Sequence, residues 1–195
     1  MNLANKLTIL RMILIPFFLI FITVKDMPYG KLIAIAIFIL ASVTDKLDGY
    51  IARSRNQITN FGKFMDPLAD KLLITTALIC LVEYHIIPSW VAVIIVAREF
   101  AVTGLRTIAA AEGMVIAASP WGKAKTATQI IAIIFALLNL TYNHVSLSLL
   151  RGFLNHPHKV LNLITDVAMA IAIVMTLISG IDYFIKNKEV IRVDK

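Results

Sequence analysis

Long apolar runs alternate with short polar breaks along the whole chain. The runs cover residues 7–24, 31–52, 67–82, 89–110, 124–142 and 161–185. The breaks between them contain Pro, Gly or Asn, residue types that favour turns. A helix that crosses a bilayer needs roughly 20 predominantly apolar residues. The pattern therefore predicts an all-α polytopic membrane protein of about six transmembrane helices, a single domain over residues 1–195 whose first helix is not removed as a signal peptide.

Composition supports a membrane protein and argues against a nucleic-acid partner. Of the 195 residues, 59% are hydrophobic and 16% are charged, whereas soluble domains have about 25% charged residues. The net charge is +7, but the basic residues lie beside apolar runs and form no hydrophilic arm. We therefore expect the lipid bilayer and an anionic small molecule as partners. The single cysteine, Cys80, cannot form a disulfide within the chain.

The distribution of Lys and Arg predicts which helix ends face the cytoplasm. With six crossings, 15 of the 19 basic residues fall on the side of both termini, and the other side holds Lys25, Lys31, Arg151 and Lys159. Cytoplasmic segments carry an excess of Lys and Arg. We therefore predict a multi-pass protein of the cell membrane with both termini in the cytoplasm. Four aromatic residues near span ends are expected to anchor in the membrane interface: Tyr29, Trp90, Trp121 and Tyr183.

Four aspartates lie in the polar segment between the second and third runs. Asp45 and Asp48 are three residues apart at the end of one predicted helix, and Asp66 and Asp70 are four apart at the start of the next. Both spacings place two side chains on the same helix face. A loop joining the two helix ends would bring the four carboxylates together on the cytoplasmic side.

The start of the third helix is predicted from its proline. Pro67 directly follows Asp66, and proline is favoured at the first helical position, after an acidic N-cap. We therefore expect the helix to begin there, after a polar loop over residues 54–61. Gly62 would let this loop approach the site closely.

Carboxylates held this close repel one another unless cations compensate them. Oxygen ligands without Cys or His favour Mg²⁺ or Mn²⁺, and two ions are plausible for four acids. Gly49 and Ala52 leave room for a ligand or a neighbouring helix, and Arg53 supplies a planar fork that binds phosphate. The alternative is that the aspartates only cap helices and pair with nearby Lys and Arg residues. Ionisable groups at membrane depth are more often functional.

The spacing D-x-x-D-G-x-x-A-R-x8-G-x3-D-x3-D resembles the signature of the CDP-alcohol phosphatidyltransferase family. It is met by Asp45, Asp48, Gly49, Ala52, Arg53, Gly62, Asp66 and Asp70. The resemblance implies that the four acids bind two divalent ions, Mg²⁺ or Mn²⁺, together with the pyrophosphate of CDP-diacylglycerol. It also implies that Asp70 is the general base, that CMP is released, and that the protein is a homodimer.

Basic residues in the fourth and fifth runs suggest where an acceptor phosphate binds: Arg98, Arg106, Lys123 and Lys125. Arg98 lies about ten residues into its run, roughly 15 Å deep, and a charge at that depth needs an anionic partner. A phosphate on the acceptor would provide one. The alternative is that Arg98 pairs with Glu99 or Glu112 and that the two lysines only follow the cytoplasmic excess of basic residues.

Three further segments, residues 2–11, 97–106 and 122–129, resemble members of the family that use glycerol 3-phosphate as acceptor. The resemblance implies transfer of the phosphatidyl group to glycerol 3-phosphate, with Asn5 and Thr8 touching the cytidine. Another acceptor, such as inositol phosphate, serine or phosphatidylglycerol, remains open. A cation transporter that uses the acids as its ion site is the alternative from a different class of protein, although such sites generally lie near the membrane midplane.

Overall fold

The computed structural model describes residues 3–24, 27, 29–54, 60–111, 113–114, 116–117, 119–144 and 157–188. Within these ranges it describes the backbone alone for residues 3–4, 45–54, 60–64, 66, 143–144 and 157–158. The described part of the chain consists of six helices and short turns, without a strand.

Each predicted apolar run corresponds to one helix. The helices are α1 (Leu3–Thr23), α2 (Gly30–Ser54), α3 (Asn60–Glu83), α4 (Ser89–Ala111), α5 (Pro120–His144) and α6 (Pro157–Lys186). The prediction of an all-α fold is confirmed. The helices extend past the apolar runs at the ends that carry polar residues, because a helix satisfies its own backbone hydrogen bonds whether or not its side chains are apolar.

The predicted start of α3 is wrong. The helix begins at Asn60, so Pro67 lies inside it and Asp66 is not its N-cap. Asparagine is also a favoured residue at a helix start. Gly62 consequently lies in the first turn of α3 rather than in a loop.

The helices pack around a core to which α1, α2, α3, α4, α5 and α6 all contribute. The rings of Phe18 in α1 and Phe38 in α2 lie 5.9 Å apart between centroids and are both fully buried. A second, smaller cluster joins α4 to α6 and consists of Val102, Leu105, Ala109 and Tyr183. This second cluster fixes the ends of α4 and α6 against each other.

Contacts at the two ends of the bundle define the direction of the helices. At one end, the Tyr84 hydroxyl after α3 donates to the Ile22 carbonyl of α1 at 2.8 Å, and Lys31 of α2 lies 5.1 Å from the Tyr84 ring centroid. At the end of α4 and α6, Ser119 donates to Asp182 at 2.8 Å. Thus α1 and α3 end where α2 begins, and α4 and α6 end where α5 begins.

Several helices have the length and composition of membrane spans. Three described segments are apolar and long enough to cross a bilayer: Asn5–Thr23, Pro120–Tyr142 and Lys159–Lys186. The apolar part of α2, Gly30–Thr44, is shorter. Large apolar side chains cover the outside of the molecule, for example Leu163 and Ile185, each 63% exposed. Such a surface is favourable in lipid and unfavourable in water, which indicates a membrane protein.

Candidate active site

The four aspartates occupy matching depths in α2 and α3, which a five-residue connection joins. Asp48 lies six residues before the last residue of α2 (54 − 48), and Asp66 lies six after the first residue of α3 (66 − 60). Asp45 and Asp70 lie nine and ten residues from the same ends (54 − 45 and 70 − 60). At 1.5 Å per residue, these pairs lie about 9 Å and about 14 Å along their helices. Counted along each helix from the end next to residues 55–59, the acids therefore lie at two matched distances.

The chemistry of these residues fits a hard divalent cation. All four proposed ligands supply carboxylate oxygens, the ligands that Mg²⁺ and Mn²⁺ prefer. The side chains of three of them, Asp45, Asp48 and Asp66, lie outside the described part of the structure. Among the described side chains, no three His, Cys, Asp or Glu residues form a group that could hold a metal ion. The proposed donor-binding residues Gly49, Ala52, Arg53 and Gly62 likewise have only their helical backbone described.

Asp70 is the member of the acid group whose side chain is described. It is half-buried on α3. It lies within electrostatic range of Lys71 on its own helix and of Lys125 on α5. The proposed general base therefore interacts electrostatically with one residue of the proposed acceptor site, although 55 positions separate Asp70 from Lys125 (125 − 70).

Lys125 and Arg98 share one carboxylate. The Lys125 ammonium forms an ion pair with Glu99 on α4, and the Arg98 Nη1 atom lies 3.4 Å from the same Glu99 oxygen. The three side chains are largely buried, with exposures of 3% for Lys125, 13% for Arg98 and 20% for Glu99. The pairing of Arg98 with Glu99, expected above as the alternative, is confirmed. Glu112 lies outside the described residues. One carboxylate against two cations leaves a net positive charge in this group.

Arg106 is held by a tyrosine of α6. Its Nε atom donates to the Tyr183 hydroxyl, and its guanidinium carbon lies 5.3 Å from the Tyr183 ring centroid. Tyr183 is only 2% exposed. Its expected role as an interfacial anchor is therefore wrong, because the arginine gives its hydroxyl a partner inside the protein.

The two lysines at the start of α5 have different environments. Lys125 is buried, whereas Lys123 is exposed. Residues two apart on a helix point to different sides, so the pair cannot face the same group directly. Lys123 makes no ion pair with the described residues.

The cations lie close enough to act together. Arg98 lies within electrostatic range of both Arg106 and Lys125, and Lys71 lies within range of Arg106. Positive charges held this close favour binding of an anion between or beside them. Asp70 interacts electrostatically with Lys71 and Lys125 of this group, so a carboxylate able to accept a proton lies within range of an anion bound there.

Sequence reasoning missed two candidate functional residues, Arg11 on α1 and Ser179 on α6. Arg11 is fully buried together with Asn5 and Thr8, which the sequence did indicate, at exposures of 0%, 9% and 1%. The three residues follow one another at intervals of three, which places them on one face of a helix that packs against α2 and α3. That spacing could have identified Arg11 alongside the other two.

The second missed residue lies on α6. Ser179 is fully buried and accepts a 2.5 Å hydrogen bond from the Arg98 Nη2 atom. It lies four residues before Tyr183, so both side chains share the face that contacts α4. The polar residues of the sequence SGIDY, at the end of an otherwise apolar helix, were the available signal.

Comparison with known proteins matches this chain to one family model and to several relatives. The model of the CDP-alcohol phosphatidyltransferase family matches residues 1–178. A protein of Bacillus subtilis (strain 168), CDP-diacylglycerol–glycerol-3-phosphate 3-phosphatidyltransferase, is 42% identical over 98% of this chain and 97% of its own length. A probable phosphatidylglycerophosphate synthase of Mycobacterium tuberculosis (strain H37Rv) is 40% identical over 93% of this chain and 79% of its own. A Rickettsia bellii protein with the same name as the Bacillus relative is 34% identical over 94% of this chain and 93% of its own.

Proposed function

The chain belongs to the CDP-alcohol phosphatidyltransferase family and is a transferase, and we propose that it transfers the phosphatidyl group of CDP-diacylglycerol to glycerol 3-phosphate. The products are phosphatidylglycerophosphate and CMP. The relatives named for this reaction support the proposal because they match this chain over most of both lengths.

One structural observation supports the choice of a phosphorylated acceptor. The buried Lys125 interacts electrostatically with both Asp70 and Arg98, and Arg106 lies within electrostatic range of Arg98. Serine or plain glycerol brings no phosphate that would need this positive charge. An acceptor phosphate bound among these cations would bring a hydroxyl of the same molecule near the Asp70 carboxylate.

The donor, CDP-diacylglycerol, is assigned to the four aspartates and to residues of α1, α2 and α3. Divalent ions, Mg²⁺ or Mn²⁺, held by Asp45, Asp48, Asp66 and Asp70 would neutralise the pyrophosphate of CDP-diacylglycerol and polarise its phosphorus. Further donor contacts are assigned to Gly49, Ala52, Arg53 and Gly62. Asn5 and Thr8 are assigned to the cytidine, and their burial on α1 supports a position facing α2 and α3.

The acceptor phosphate is assigned to Arg98, Arg106, Lys123 and Lys125. Arg106 is exposed, and among the described residues only Tyr183 forms a hydrogen bond with it, through Nε. Its terminal nitrogens can therefore form the paired hydrogen bonds that suit a phosphate. Arg98 and Lys125 lie deeper and supply charge, partly balanced by Glu99. Lys123 is exposed, which suits attraction of the anion before it binds.

The transfer exchanges one phosphorus–oxygen bond for another. The oxygen of the acceptor hydroxyl attacks the phosphorus that carries diacylglycerol. Asp70 accepts the proton that this hydroxyl loses. The bond between this phosphorus and the oxygen shared with CMP breaks, and that oxygen leaves with CMP. The cationic residues hold the acceptor in line with the bond that breaks, which is the main contribution a protein makes to phosphoryl transfer.

The membrane arrangement is part of the proposal. Six crossings would make α4 and α6 run in the same direction, and the pairing of Arg98 with Ser179 and of Arg106 with Tyr183 supports this. The excess of Lys and Arg at the ends of α4 and α6 supports a cytoplasmic position for the active site and both termini in the cell membrane. A homodimer is proposed from the family resemblance.

Release of CMP by the purified protein tests the proposed reaction. The protein in detergent micelles would receive CDP-diacylglycerol, Mg²⁺ or Mn²⁺, and one acceptor at a time from glycerol 3-phosphate, inositol phosphate, serine, phosphatidylglycerol and glycerol. We expect CMP and phosphatidylglycerophosphate with glycerol 3-phosphate and little product with the others. A clear preference for another acceptor would assign the chain to a different branch of the family.

A further inference from the structure

Two uncharged residues near the end of α6 form hydrogen bonds with two arginines of α4. Ser179 bonds to Arg98, and Tyr183 bonds to Arg106, and both α6 residues are almost completely buried. We propose that α6 positions the acceptor-binding arginines through these hydroxyls, with Tyr183 setting the orientation of Arg106. This inference rests on the proposed function, since it concerns residues assigned to the acceptor phosphate.

Hydroxyl groups are suited to orienting an arginine without neutralising its charge. A carboxylate partner would neutralise each guanidinium, as Glu99 partly does for Arg98. A serine or tyrosine hydroxyl accepts a hydrogen bond and leaves the positive charge in place. The arginines therefore keep their attraction for phosphate while losing some of the side-chain freedom that binding would otherwise have to remove.

The atoms engaged by Tyr183 are informative. Tyr183 accepts from Nε of Arg106, and its ring faces the guanidinium at 5.3 Å from the centroid, a cation–π geometry. Both contacts leave the two Nη atoms open to a partner that accepts two parallel hydrogen bonds, such as a phosphate. Tyr183 is thus placed to fix the plane of the guanidinium without occupying the edge that binds phosphate.

Gly180 lets Arg98 lie close to α6. A Cβ atom at this position would come within 3.3 Å of the Arg98 Cγ atom, closer than most real Cβ contacts. The glycine next to Ser179 therefore allows the arginine stem to cross α6 and reach the serine hydroxyl. Three neighbouring features of α6, a hydroxyl, a glycine and a tyrosine, serve the two arginines of α4.

The test is the replacement Tyr183→Phe, which removes the hydroxyl and keeps the ring. We expect KM for glycerol 3-phosphate to rise by roughly threefold to tenfold, because binding must then remove the side-chain freedom that Arg106 regains. KM for CDP-diacylglycerol and turnover with saturating glycerol 3-phosphate should change less than twofold. Tyr29→Phe, the same change at an exposed tyrosine in the turn before α2, is the matched control and should leave all three quantities unchanged.

A double-mutant cycle separates positioning from a general structural role. In the Arg106→Ala background, Tyr183→Phe should have no further effect on KM for glycerol 3-phosphate, because the residue it positions is gone. Equal effects of Tyr183→Phe in both backgrounds would overturn the inference, as would an unchanged KM or an equal rise in KM for both substrates. Failure of the wild type to use glycerol 3-phosphate would instead refute the proposed function.

Tyr183→Leu is a second variant that keeps the test decisive if Tyr183→Phe fails to fold. It removes both the hydroxyl and the ring, so we expect a larger rise in KM for glycerol 3-phosphate than Tyr183→Phe causes. Thermal unfolding of each purified variant, measured beside the kinetics, shows whether it folds. Two folded variants with equal KM would mean that the hydroxyl is the whole contribution, while a KM equal to wild type in Tyr183→Leu would overturn the inference.

Discussion

Lys125 of α5 and Glu99 of α4 form an ion pair across the helices, inside the proposed acceptor site. The same Glu99 oxygen lies 3.4 Å from Arg98 Nη1. A carboxylate thus lies where two cations would otherwise be buried without compensation. A phosphate bound there would take over part of that compensation.

Glu99→Gln tests this balance of charge. We expect the free energy of unfolding to fall by about 2–3 kcal/mol, below the full cost of breaking a buried pair because Glu99 is 20% exposed. We also expect inorganic phosphate or glycerol 3-phosphate to raise the unfolding temperature more in the variant than in the wild type. Thermal unfolding with and without each anion provides the measurement. Glu83→Gln, at an exposed position at the end of α3, is the control.

Asp48→Asn and Asp66→Asn should each abolish turnover while the protein still folds. Each change removes one of the proposed metal ligands and with it the stabilisation of charge on the phosphoryl group. CMP release in saturating Mg²⁺ or Mn²⁺ is the measurement. EDTA should abolish CMP release by the wild type. More than a few per cent of residual activity would contradict the assignment. Asp166→Asn, at an exposed position of α6, is the matched control and should keep its activity.

Asp70→Asn should affect the chemical step more than binding of the donor. A general base is needed only when the acceptor hydroxyl loses its proton, so kcat should fall by roughly a hundredfold or more. Binding of CDP-diacylglycerol, measured separately, should weaken much less. Collapse of donor binding with kcat preserved would make Asp70 a metal ligand and assign the base to another group.

Arg106→Ala should raise KM for glycerol 3-phosphate by roughly tenfold to a hundredfold, the range for losing a charge-assisted contact. KM for CDP-diacylglycerol should scarcely change. Arg106→Lys should recover part of the loss, since lysine keeps the charge without the planar fork. Plain glycerol provides the control, because the variant should discriminate less between the two acceptors. An unchanged preference for glycerol 3-phosphate would remove Arg106 from the acceptor site.

The positions of the helices could be predicted from the sequence because apolar runs of this length have few alternatives in a membrane. The start of α3 could not, since Asn60 and the pair Asp66 and Pro67 both carry signals for a helix start, and only the packed structure selects between them. The spacing of the four aspartates could also be seen in the sequence. Their roles as metal ligands and general base stay predictions.

The contacts between α4 and α6 could not be predicted in the same way. Arg98 and Ser179 are 81 positions apart, and Arg106 and Tyr183 are 77 apart. The predicted depth of Arg98 in the membrane indicated that its charge needs an anionic partner. From the sequence, that partner could be Glu99 or the phosphate of a bound acceptor. Tyr183 near a span end fits an interfacial anchor equally well until the neighbouring helix is known.

The matched depths of Asp48 and Asp66, about 9 Å from their helix ends, have a consequence for membrane growth. In the proposed reaction, donor and product would keep their acyl chains in the bilayer, and the headgroup chemistry would occur at one end of the helices. New anionic lipid would therefore be delivered to a single monolayer. Its appearance in the opposite monolayer would then require a separate lipid-translocating activity, because moving a charged headgroup through the apolar core of the bilayer is costly.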